Sequence, residues 1–146
     1  MGGGGGRAVG CGAGEGSEGC VARVMAVDDD HVIRGLLEVN LEMEGHEVVT
    51  AVDGQDALEK VITLKPDLIL LDVMMPNVNG WQVAEQLKLD PHTRHIPIVF
   101  LSARAMEADV RKGTALGVQA YVTKPFDPID LMELVNRLLQ GRAARP

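Results

Sequence analysis

The sequence has no surplus of basic residues. Its 14 lysines and arginines stand against 21 aspartates and glutamates, a formal net charge of -7. A protein that holds nucleic acid non-specifically needs the opposite excess, to displace counterions from the phosphates. Cysteine is scarce as well. Cys11 and Cys20 are the only two, which excludes the disulfide framework of a small secreted scaffold and the ligand set of a thiolate metal site. They read as free thiols. No apolar run approaches the roughly 20 residues of a membrane span, and the N-terminus lacks the apolar core of a signal peptide, so a cytoplasmic location is expected. The glycine-rich start also misses the myristoylation pattern, because Gly6 stands where Ser or Thr is needed.

Glycine, by contrast, is unevenly abundant: ten of the 17 lie within the first 19 residues. Residues 1–20 are therefore expected to form a flexible tail, 21–140 one globular domain and 141–146 a short C-terminal tail. Within the first tail, Gly14-Glu-Gly16-Ser-Glu-Gly19 matches the dinucleotide fingerprint G-x-G-x-x-G letter for letter. That fingerprint works only when a strand feeds the glycine turn, and these glycines precede the first strand.

From Val21 onward short apolar runs alternate with longer amphipathic stretches. "VARVMAV" is followed by Ile33, Leu36, Leu37 and Leu41 at helical spacing, with Gly45 placed to stop the helix. "HEVVTAV" leads to a helix whose apolar face is Ala57, Leu58, Val61 and Ile62, ended by Pro66. "DLILLD" reads as a strand buried on both faces. A helix around Trp81 to Leu89, the strand "IPIVFLSA", a helix from about Ala105 to Leu116, the strand "QAYVTKPF" and the helix "DPIDLMELVNRLLQG" follow. Five β-α units of this length predict an α/β fold, a five-stranded parallel sheet with helices on both faces.

Ligands of such a sheet bind at the carboxyl ends of its strands. The spacing places Asp28 and Asp29 there from the first strand, Asp72 from the third, Ser102 from the fourth and Lys124 from the fifth. Two carboxylates about 4 Å apart repel by about 4 kcal/mol at an effective dielectric near 20, so such a cluster needs a cation, a proton or open water. Mg²⁺ suits an all-oxygen set of this kind, and a neighbouring ammonium and hydroxyl suit a phosphoryl group. Asp72 could then act as nucleophile, forming an acyl phosphate. Each residue also has a plainer reading: Asp72 as a turn residue, Asp28 and Asp29 as partners of a helix dipole, Asp30 as a helix cap, Lys124 as a surface lysine and Trp81 as packing in the third helix. His31, His46, His92 and His95 fit no ligand spacing and read as surface or cap residues.

The blocks "VMAVDDDHVIRGLL", "PDLILLDVMMPNVNGW", "IPIVFLSA" and "GVQAYVTKPF" resemble, in order and spacing, the receiver domain of two-component response regulators. The resemblance covers about residues 22 to 140 and implies a flavodoxin-like, doubly wound (βα)5 fold. It implies that Asp72 is the phosphoacceptor, that Asp28 and Asp29 hold Mg²⁺ together with Asp72 and the backbone carbonyl of Met74, and that Lys124 pairs with the phosphoryl group. Ser102 would swing toward that group and Tyr121 would move inward with it, while the Lys124-Pro125 bond would be cis. A sensor histidine kinase or phosphotransfer protein would be the donor, and an unidentified protein would read the face formed by the fourth helix, fifth strand and fifth helix. With only "GRAARP" after the last helix, the expectation is a standalone receiver without direct DNA or membrane binding, catalysing its own phosphorylation and dephosphorylation. A phosphorylation-dependent homodimer stays open. So do two other functions: a phosphorylation-independent interaction module, and a small haloacid-dehalogenase-like phosphatase, whose D-x-D-x-[TV] motif Asp28, Asp30 and Val32 also satisfy.

Overall fold

The computed structural model describes residues 22–75, 78–103 and 107–143. The glycine-rich tail with Cys11 and Cys20 lies outside them, as does Arg104, which two residues beyond Ser102 is expected to flank the phosphoryl group with Met74. Five strands, β1 (Arg23–Val27), β2 (Glu47–Ala51), β3 (Leu68–Asp72), β4 (Ile98–Ser102) and β5 (Ala120–Thr123), form one parallel sheet in the order β2-β1-β3-β4-β5. Between and after them run α1 (His31–Met43), α2 (Gly54–Leu64), α3 (Gly80–Leu89), α4 (Glu107–Leu116) and α5 (Pro128–Ala143). This is the expected doubly wound α/β architecture. Helix α5 continues to Ala143, past the domain end expected at 140.

Alternation within the strands explains why both faces are covered. Val24, Ala26, Leu68, Leu70, Val99 and Leu101 point to one side and pack with Leu37 and Leu41 of α1 and Leu131, Val135 and Leu139 of α5. Met25, Val27, Ile69, Leu71, Ile98 and Phe100 point to the other, against Ala57 and Val61 of α2 and Val83 and Leu87 of α3, with Leu116 of α4 at its margin. Strands β3 and β4 are buried at every position, as central strands between two helical layers must be. The edge strand β5 is only half-buried.

Local chemistry sets the helix ends. Asp30 caps α1 by accepting the Val32 N–H, as expected, and Gly45 leaves the helix at a φ of 90°. Asn79 and Gln82 form a reciprocal capping box at the start of α3. The Lys124-Pro125 bond is cis.

Three side chains depart from the sequence reading. Leu36 and Ile62, assigned to apolar faces, are exposed, because α1 and α2 turn narrower arcs to the sheet than their full apolar patterns. His46, read as a surface or cap residue, is buried: its Nδ1 accepts the Ala22 N–H and its Nε2 is 2.7 Å from Asn136 Oδ1. It joins the start of β1 to α5.

Glycine is required at Gly80, where a Cβ would stand 2.6 Å from the Asp72 carbonyl oxygen and 2.7 Å from Val73 Cα, atoms of the backbone that cannot swing away. Gly35, in the middle of α1, has nothing within 4 Å of the same position. Gly80→Ala is therefore expected to lower stability by about 1–3 kcal/mol through overpacking, while Gly35→Ala raises it by about 0.5–1 kcal/mol through helix propensity. Urea unfolding midpoints of the two variants should move in opposite directions from the parent.

Candidate functional site

Strand order reverses direction at β1, so the crevice of the sheet opens between the carboxyl ends of β1 and β3. Asp28 follows the last residue of β1 and Asp72 is the last of β3. Carboxylate oxygens of Asp28, Asp29 and Asp72 lie within 4.8 Å of one another. Asp28 and Asp72 are buried, and Asp29 is exposed at the mouth.

Lys124, just after β5, reaches over this cluster. Its Nζ donates to Asp28 Oδ2 at 2.7 Å and lies 3.4 Å from Asp72 Oδ1. Asp28 is further engaged: its Oδ1 accepts the Asp30 N–H, and its main-chain carbonyl accepts from Arg34 Nη1 at 2.7 Å. Asp72 Oδ1 accepts the Met74 N–H at 3.3 Å. Ser102 is fully buried at the end of β4, next to Leu101, the register partner of Asp72, and its carbonyl accepts the Lys124 N–H. Tyr121 is half-buried on β5 opposite Phe100.

The structure thus brings together Asp28, Asp29, Asp72 and Lys124, with the Ser102 backbone joined to that of Lys124 and Met74 at the rim. Tyr121 stands apart, in the aromatic packing beyond β4. Asp30 is spent on capping α1 and is not part of the acidic cluster. That removes the second acid the phosphatase motif would need. Two contributors were not evident from sequence. Arg34 lies one helical turn into α1, where no local pattern marks it as a partner of the Asp28 carbonyl. Gly80, in an Asn-Gly pair that reads as a turn, is where α3 seats against Asp72.

Electrostatics follow from burial. Asp72 has its pKa pushed up to about 6, first by burial and then by the Asp28 charge, against the opposing pull of Lys124 and the Met74 N–H. For Lys124, burial is the largest single influence and disfavours its charge. The Asp28 hydrogen bond and the two carboxylates together outweigh it and raise its pKa above the ordinary lysine value. One ammonium against three carboxylates leaves a surplus of negative charge, which a cation would complete.

Fold and site define a class: a doubly wound α/β protein with an acidic pocket and one lysine at its carboxyl edge. Residues 24–136 match the response regulator receiver domain, and the chain belongs to that family. It is 40% identical over 118 residues to the DNA-binding dual master transcriptional regulator RpaA of Synechocystis, covering 81% of this chain and 49% of that one. To the response regulator PleD of Caulobacter vibrioides it is 44% identical over 117 residues, 80% of this chain and 26% of that one. The chain therefore spans about half and about a quarter of these relatives. Chemotaxis response regulator CheY4 of Vibrio cholerae superposes with a TM-score of 0.76 at 32% identity, covering 81% of this chain and 98% of that chain. The general function of the family is a phosphorylation-activated switch. Its receiver domains generally bind Mg²⁺ at the acidic pocket and interact with histidine kinases or phosphotransfer proteins. Among the described residues no helix is long and apolar enough to cross a membrane.

A carboxyl whose pKa is higher in the fold than in the unfolded chain favours folding while protonated, and that contribution is lost as pH rises from near 4 through about 6. Asp72→Asn should accordingly melt above the parent at pH 8 in chelator, by roughly 4 °C per kcal/mol of repulsion relieved. The gap should close as the pH is lowered toward 4. A gap of constant size across that range would show that titration of Asp72 is not its source.

Proposed function

We propose that Asp72 is the phosphoacceptor of this receiver and that a phosphohistidine of a sensor histidine kinase or phosphotransfer protein is the donor. The observation that carries this reading is the buried Asp72 carboxylate sharing one Lys124 ammonium with Asp28. An Asp72 oxygen attacks phosphorus, the P–O bond forms as the P–N bond breaks, and the imidazole leaves and takes up a proton. Asp72 must be unprotonated to attack, and Lys124 can pair with the incoming phosphoryl oxygens as it now pairs with the carboxylates.

The donor set fits Mg²⁺, because three hard carboxylate oxygens already converge. Asp28, Asp29, Asp72 and the Met74 backbone carbonyl are the proposed ligands. Bound there, the ion neutralises the carboxylate surplus and the charge of the phosphoryl oxygens. Lys124, itself hydrogen-bonded to Asp28, reaches Asp72 at the crevice floor, and Ser102 stands one residue beyond the register partner of Asp72.

The phosphoryl group adds nearly two negative charges. Ser102 donates its hydroxyl to it, Tyr121 follows inward, and the face of α4, β5 and α5 changes shape for a protein partner. DNA binding belongs to relatives such as RpaA by name, and the acid excess of this chain argues for a protein partner instead.

Incubation with Mg²⁺ and acetyl phosphate should add the mass of one phosphoryl group, base-labile and absent in Asp72→Asn. A gain retained by Asp72→Asn but lost in Asp28→Asn would transfer the nucleophile to Asp28, and no gain in any form would favour a phosphorylation-independent binding module. In this reading Met74, exposed two residues past Asp72, restricts the hydrolytic water. Its replacement by Asn should hasten loss of the phosphoryl group, and an unchanged dephosphorylation rate would refute that role.

A further inference from the structure

The chain has four aromatic side chains other than histidine, and three of them, Trp81, Phe100 and Tyr121, close a triangle on the α3 and α4 side of the sheet. The Trp81 and Phe100 centroids are 5.0 Å apart at 83°, those of Phe100 and Tyr121 6.0 Å apart at 83°, and those of Trp81 and Tyr121 6.3 Å apart at 38°. Each ring comes from a different element. Trp81 is on the first turn of α3, Phe100 on β4 two residues before Ser102, and Tyr121 on β5.

Trp81 is anchored beside the acidic pocket through its chain neighbours. The residue before it, Gly80, seats directly on the Asp72 and Val73 backbone and donates its N–H to the Val73 carbonyl at 2.9 Å. The Asn79 and Gln82 capping box fixes the same turn. On the far side, α4 touches the triangle twice. A Cβ on Gly113 would lie 3.3 Å from Phe100 Cδ2 and 3.4 Å from Tyr121 Cδ2, and Lys112 Nζ stands 4.8 Å from the Trp81 ring centroid. The triangle therefore bridges α3, which seats on the strand end bearing Asp72, to α4. Tyr121 cannot move without changing the Trp81 contact.

We propose that Trp81 is a positioning residue: its indole is the wall that fixes the resting place of the Tyr121 ring, and through that wall the backbone at Asp72 is coupled to α4. The inference rests on the switch role proposed for Tyr121. It adds a fixed residue on α3 to the parts that set the switch, and it makes the resting state depend on a side chain outside the carboxylate and Lys124 cluster.

The chain has one tyrosine and one tryptophan, so both rings can be followed without assignment ambiguity. In the unphosphorylated full chain, cross-relaxation between the Tyr121 ring protons and the Gly113 α-protons reads ring position independently of ring-current effects. That signal should be lost in Trp81→Leu and restored in Trp81→Phe, while acetyl phosphate and Mg²⁺ still add one phosphoryl mass to both variants. Retention of the full signal in Trp81→Leu would overturn the proposal. Should Trp81→Leu fail to fold, the parent protein decides: Trp81 emission should change on phosphorylation as Tyr121 leaves it, and unchanged emission on fully phosphorylated protein would equally overturn it. Absence of phosphorylation in every form would count against the phosphoacceptor reading instead, leaving the unphosphorylated contact to decide the role of Trp81.

Discussion

The contact between Lys124 and Asp28 at 2.7 Å, made by residues 96 positions apart, governs the carboxyl edge of this protein. Burying Asp28 and Asp72 at the ends of two apolar strands would be very costly without an opposite charge. Lys124 provides that charge from β5, across the position of the intervening strands. The compensation is incomplete by design of the inventory, since one ammonium faces three carboxylates. The pocket is therefore stable enough to fold and still electrostatically unsatisfied, a condition favourable to taking up a cation and then a phosphoryl group.

The same constraint explains which parts of the site were legible in sequence. Asp28, Asp72, Ser102 and Lys124 each stand where an apolar run stops, and strand order in a parallel sheet converts those separate stops into one rim. Nothing further was needed to gather them. Trp81 was correctly read as packing, and Asp30 as a cap, because both follow from local spacing.

What could not be read came from tertiary partners. His46 is buried because Ala22 and Asn136, far away in the chain, supply its hydrogen bonds, and no local pattern encodes that pairing. Leu36 and Ile62 belong to helical apolar patterns wider than the strip of sheet available to cover them, and periodicity alone does not give the width of the strip. Nothing local to Arg34 marks it as a donor to the Asp28 carbonyl, which only the fold brings within its reach. The need for glycine at position 80 arises from the approach of α3 to the end of β3, a distance that only the folded chain defines.

The uneven burial of the strands has a dynamic consequence. Strands β3 and β4 are covered at every position, whereas β5 is half-exposed along its length and pairs with β4 alone. Opening free energies track buried contacts, so backbone amides of β3 exchange with solvent only through large-scale unfolding, and those of β5 through small local excursions. The two buried carboxylates thus stand at the ends of strands in the slow-exchanging part of the sheet, while Lys124 and Tyr121 ride on its fast-exchanging margin. Chemistry occurring at the stiff part is felt first where the molecule yields most readily.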